Sequence, residues 1–153
     1  MVRRHLILAA TLAGLATAAH AQSPMPGGMP PPPGMSLAAS NAMRFPQPVR
    51  AGDLRYRTVL RPVESQTVLG HVRELVRDDK GTIMAVIDFG GFLGFGTRPI
   101  AVPIEAMVLL GADMEIVAFT PAQLRGFPDF AATGTAPIPD DTILKIGLAK
   151  PSH

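Results

Sequence analysis

Reactive side chains are few in this chain, and their spacing limits what chemistry they could do. Two of the four histidines, His71 and His153, lie beyond residue 21, and His153 is the last residue. Nucleophilic hydrolysis needs a base beside a hydroxyl or thiol. The 153 residues include no cysteine. That excludes a cysteine nucleophile, a thiolate metal site, a disulfide scaffold and an acylated lipoprotein anchor. The serines beyond residue 21 are Ser23, Ser36, Ser40, Ser65 and Ser152, and no Gly-x-Ser-x-Gly elbow occurs among them. A hydrolase would have to combine His71 with Ser65 and Asp88, whereas an isolated strand histidine half in solvent accounts for His71 without chemistry. Asp88 and Glu105 flank the glycine-rich stretch 90–97 and the strand after it, where two carboxylates could approach for acid-base work. Asp78-Asp79 and Asp140-Asp141 read as solvated turn acids. The run Gly94-Phe95-Gly96 leads to Thr97-Arg98-Pro99 and a strand, not to a helix, so it fails as a phosphate cradle. No catalytic, cofactor-binding or metal-ligating residue is assigned, no cofactor is expected, and the reading is non-enzymatic.

Surface recognition is the remaining class. Phe92, Leu93 and Phe95 sit among four glycines in the stretch 90–96. Apolar loop residues on a rigid frame make good contacts, so these three are candidate partner contacts. Arg55 and Arg57 are the electrostatic candidates, within a local excess of Arg44, Arg50, Arg55, Arg57 and Arg61 over Asp53. An acidic protein surface or anionic headgroups would suit that patch. Met25, Met29 and Met35 offer thioethers, which bind Cu(I), but they come without His or Cys nearby.

The elements that must position these residues are short and β-like. Leu54, Tyr56, Thr58 and Leu60 alternate with Arg55, Arg57, Val59 and Arg61, which predicts a half-buried strand. Stretches 68–77 and 82–89, joined by Asp78-Asp79-Lys80-Gly81, predict a hairpin. Ile100-Ala101-Val102 lies between Pro99 and Pro103. Because Pro99 cannot donate a ladder hydrogen bond, this strand must start at an edge or kink. One helical turn is expected at 104–107, then strand, turn and strand over 108–119. Thr120, Pro121 and Gln123 place a cap, a first-turn proline and a capping-box side chain at the start of a short helix, which Gly126 and Pro128 end. Residues 142–148 are apolar again and could add a strand.

The amino-terminal segment sets the expected compartment. Arg3, Arg4 and His5 precede an apolar run over residues 6–18, and Ala19-His20-Ala21 supplies small residues for cleavage after Ala21. This is the pattern of a secretory signal peptide, and the run is short of the roughly 20 apolar residues that span a bilayer. Loss of Arg3 and Arg4 takes the 14 Lys+Arg to 12, equal to the 12 Asp+Glu. A nucleic-acid footprint needs a basic excess, so no nucleic-acid partner is expected. A secreted or periplasmic protein without a stable membrane span follows. Residues 22–48, rich in Pro, Met and Gly, read as a disordered tether in which consecutive prolines favour polyproline II.

The order of motifs resembles the PRC-barrel family, the domains akin to the cytoplasmic part of the photosynthetic reaction-centre H subunit. The likeness rests on Leu69-Gly70-His71-Val72 entering a turn, the returning strand Thr82-Ile83-Met84-Ala85-Val86-Ile87, and Gly90-Gly91-Phe92-Leu93-Gly94-Phe95-Gly96 before Ile100-Ala101-Val102-Pro103. Thr120-Pro121-Ala122-Gln123-Leu124 running to Phe130 is similar to the family's closing helix. The resemblance spans about residues 60–130 and implies a docking or assembly module. The expected architecture is mainly β: a small PRC-type barrel or rolled sheet over 49–130 with one short C-terminal helix, and an extension over 131–153. Its expected partners are cell-envelope proteins, with homo-oligomerisation through an open sheet edge compatible with the pattern. The alternatives are a periplasmic small-ligand or metal-binding protein and a hydrolase using His71.

Overall fold

The computed structural model describes residues 34–61, 67–91 and 96–149. The protein is mainly β. Its strands are β1 (Gln47–Arg50), β2 (Thr58–Leu60), β3 (Val68–Asp78), β4 (Ile83–Phe89), β5 (Arg98–Pro103), β6 (Met107–Leu110), β7 (Asp113–Ile116), β8 (Thr135–Pro137) and β9 (Ile143–Leu148). Helices α1 (Leu37–Ala42) and α2 (Pro121–Arg125) complete it, with 3₁₀ turns at Ala51–Leu54 and Ile104–Ala106. The sheet runs β1-β9-β6-β7-β2-β3-β4-β5, with β8 added to β3. The β2–β7 and β6–β9 pairs are parallel, and the others are antiparallel. The sheet is rolled but not closed. One core cluster takes Val102 from β5 at one end and Leu144 and Ile146 from β9 near the other, which requires the sheet to curl about a single interior.

Hairpin β3–β4 forms where the sequence predicts it, around a turn in which Asp78 accepts from the Lys80 and Thr82 amides and Gly81 takes φ +85°. A β-bulge between Val72 and Glu74 shifts the register of β3 against β4. The extra residue explains why Val72 and Leu75, an odd spacing apart, both reach the core. Gly70 is required by close approach. A Cβ there would stand 2.1 Å from the carbonyl oxygen of Asp88, so no other residue fits without moving β4.

Four expectations change. The alternating stretch from Leu54 is not one strand: Ala51–Leu54 is a 3₁₀ turn, Tyr56 turns left-handed at φ +64°, and only Thr58–Leu60 pair. The Tyr56 amide donates to Val72 and the Val72 amide to Arg57, so tertiary partners satisfy this backbone instead of a regular ladder. Residues 34–48 are built into the fold. Ser36 caps α1, and the Asn41 side-chain oxygen accepts from the Gly147 amide, pinning α1 to β9. Two short helices are therefore present among the described residues where one was expected. Finally, the strand that residues 142–148 could add is present as β9 (Ile143–Leu148), but it is an interior strand between β1 and β6 and not an extension outside the domain.

Candidate functional site

Both edge strands carry prolines, and their register decides what the edges can do. The β4–β5 register sets Pro99 opposite Asp88, Ala101 opposite Val86 and Pro103 opposite Met84. The Pro99 carbonyl accepts from the Phe130 amide, outside the sheet. Residues 99, 101 and 103 therefore direct their backbone groups away from β4, by the alternation of antiparallel ladders. Two of those three positions are prolines and have no amide to offer. This agrees with the edge placement that Pro99 predicts.

The segment after α2 lies along this edge, held by Arg98. Its guanidinium donates to the carbonyls of Leu124 (3.0 Å), Arg125 (2.7 Å) and Phe127 (2.7 Å) and to the Asp129 carboxylate (2.9 Å). A cation suits the carbonyls that end a helix. Arg98 also stands over the Phe89 ring, 5.7 Å from its centroid. At the other end of α2, the capping box is present: Thr120 accepts from the Gln123 amide, and the Gln123 side chain accepts from the Thr120 amide. Leu124 is fully buried.

Between the edge and this segment lies an open groove of about 420 Å³. Its floor is Met84, Ala101 and Pro103, and its walls are Phe119, Phe127, Pro128, Phe130 and Ala131. Phe119 and Phe127 meet edge to face with centroids 5.1 Å apart. Both also pack on the core, so these walls are firmly seated. Asp129 is the charged member of the lining, and Arg98 already engages it.

A second groove, of about 540 Å³, lies beside α1. Its lining mixes Lys80, Glu105 and Lys145 with Asn41, Ile83, Ile104 and Leu144.

The residues singled out from the sequence are scattered. Phe92, Leu93 and Phe95 lie outside the described residues, as do Ser65, His153, Met25 and Met29. Arg55 pairs with Asp140 at 3.4 Å. Arg57 donates to the carbonyls of Asp53 (2.7 Å) and Gly111 (3.0 Å), tying the first 3₁₀ turn to the β6–β7 turn. His71 is exposed on β3, opposite Asp88 on β4. The Asp88 carboxylate is bound by Arg73. Asp88 and Glu105 are not brought together. Asp88 faces Pro99, whereas Glu105 follows Pro103, about 13 Å further along β5 at strand rise. No three His, Cys, Asp or Glu side chains cluster among the described residues, and none of the helices described is long and apolar enough to cross a membrane.

Arg98 and the aromatic groove were missed from the sequence. Pro99 and Pro103 pointed to an edge, and the Phe127–Phe130 spacing pointed to a helix end seated on the sheet. Nothing in the local sequence told Arg98 from the other arginines. No family model matches the chain, and no curated protein matches it.

Proposed function

We propose that this chain is an exported, PRC-barrel-like docking module of the cell envelope that acts through its exterior rather than through chemistry. The observation that carries this reading is the groove beside β5. It is concave, almost wholly apolar, aromatic-walled and set on core-packed side chains. Shaped apolar grooves with aromatic walls are what extended peptide segments use as landing sites. The prolines at residues 99 and 103 remove two of the three outward amides of β5, so recognition here works through side-chain contact more than strand addition.

The test is a charge placed in the groove of the full-length chain. Ala101→Glu puts a carboxylate on the apolar floor, while circular dichroism and thermal melting check the fold. Crosslinking in the envelope of the native host, read by mass spectrometry, should show partner adducts reduced at least fivefold. Undiminished adducts with an intact fold would refute the groove as the working surface. For the hydrolase reading, His71→Ala should leave any hydrolytic signal of the preparation unchanged.

A further inference from the structure

We infer that the groove beside β5 binds an uncharged polyproline-type segment, and that its resident occupant is the stretch 24–33 of this same chain. The inference rests on the docking reading and names the class of ligand. Three observations support it.

The chemistry matches. Residues 24–33 read Pro-Met-Pro-Gly-Gly-Met-Pro-Pro-Pro-Pro, with no charge and no hydrogen-bonding side chain. The groove offers three phenylalanines, two prolines, a methionine and alanines, and its acid is already held by Arg98. Proline-rich segments dock on aromatic-lined grooves because polyproline II is preformed and loses little entropy on binding. A charged ligand would be desolvated there without compensation.

The reach is sufficient. The described chain starts at Gly34 and enters α1, which packs beside the 3₁₀ turn Ile104–Ala106. That turn directly follows Pro103, which lines the groove. Polyproline II advances about 3.1 Å per residue, so a segment in that conformation would carry residue 30 roughly 12 Å and residue 24 roughly 31 Å from Gly34. A domain of about 100 residues has a radius of gyration near 13 Å, so the groove is within range.

The free edge cannot compete. Prolines remove two of the three outward amides of β5, leaving that of Ala101, and the prolines at residues 30–33 bring no amides of their own. Side-chain packing is thus the mode open to both partners.

The chain has no cysteine, so an engineered pair is unambiguous. Met29→Cys is combined with Ala131→Cys in the full chain, and the control pairs Met29→Cys with Ala112→Cys at the β6–β7 turn. Under mild oxidation the groove pair should form an intramolecular disulfide at least about tenfold faster than the control, as expected when docking raises the effective concentration. Replacing residues 30–33 by serine should remove that advantage. Equal rates for the two pairs would overturn the inference, and so would disulfides formed only between chains, which would assign the groove to a second copy. If the groove pair shows no advantage while Ala101→Glu still abolishes envelope adducts, the self-docking fails and the docking reading stands. The reverse pattern rejects external docking and keeps the self-contact.

Discussion

The two edges of the sheet solve one problem with the same residue and then diverge. An open edge invites pairing with another chain. On β1 the amide of Ala51 donates to Thr142 across to the β9 side, so by alternation positions 48 and 46 face outward, and both are prolines. On β5 the outward positions 99 and 103 are prolines too. Beyond that, the edges differ. The β1 flank carries projecting side chains, Phe45 at 79% and Met43 at 68% exposure, and its Pro46 borders the groove beside α1, whose lining includes Lys80, Glu105 and Lys145. The β5 flank is roofed by the segment after α2 and made concave. The difference indicates that removing ladder donors protects an edge, while a roof of aromatic side chains turns it into a place where something of defined shape can sit.

The strongest way to break this contrast is to release the roof. Arg98→Ala removes four charge-assisted hydrogen bonds, three of them to carbonyls at the end of α2. Allowing for relaxation and for the exposed Asp129, the expected loss is about 3 kcal/mol. Urea denaturation measures it. Arg98→Lys should recover only a minor part, because an ammonium cannot span the same carbonyls. A loss under about 1 kcal/mol would mean the roof is held by aromatic packing alone.

A smaller effect is expected from the other end of the helix. Thr120→Ala removes the cap and should cost about 1 kcal/mol, with increased amide exchange confined to α2 and the groove wall. On the opposite flank, Phe45→Ser should change stability by no more than about 0.5 kcal/mol, as for exposed surface positions generally. A large loss there would show that the β1 flank is packed against something.

The flanks also separate by pH. Burial raises the Glu115 carboxyl above its ordinary 4.5, while the positive charge of Arg44 acts in the opposite direction. Arg44 belongs to the α1–β1 connection, so this titration reports on the β1 side. With its folded pKa raised, Glu115 binds its proton more tightly in the folded state. Stability should therefore fall as pH rises from about 4.5 through the folded pKa and stay lower above it. Glu115→Gln should flatten that slope in denaturation curves between pH 4 and 7, and leave Phe127 and the groove unaffected.

What was legible in the sequence was what local chemistry dictates. Thr120, Pro121 and Gln123 announced α2 because capping is settled within four residues. Asp78 to Gly81 announced the hairpin turn for the same reason, and Pro99 announced an edge. The misreadings arose where distant partners decide. Leu54 to Leu60 had the period of a strand, yet the amides of Tyr56 and Val72 found carbonyl partners that turned the chain. α1 was hidden because its small residues look like linker until Asn41 meets Gly147. The groove was hidden because its floor and walls come from β4, β5 and the segment around α2, and Arg98 became a clasp only through contacts made 26 to 31 residues away.

The most direct test of an exterior working surface is site-specific photocrosslinking of the full-length chain in its native host. A benzophenone side chain at residue 131, on the groove rim, should yield discrete adducts to a partner protein that disappear with Ala101→Glu. The same probe at residue 50, on the β1 edge, should yield few. Equal adducts from both positions, insensitive to Ala101→Glu, would contradict the account.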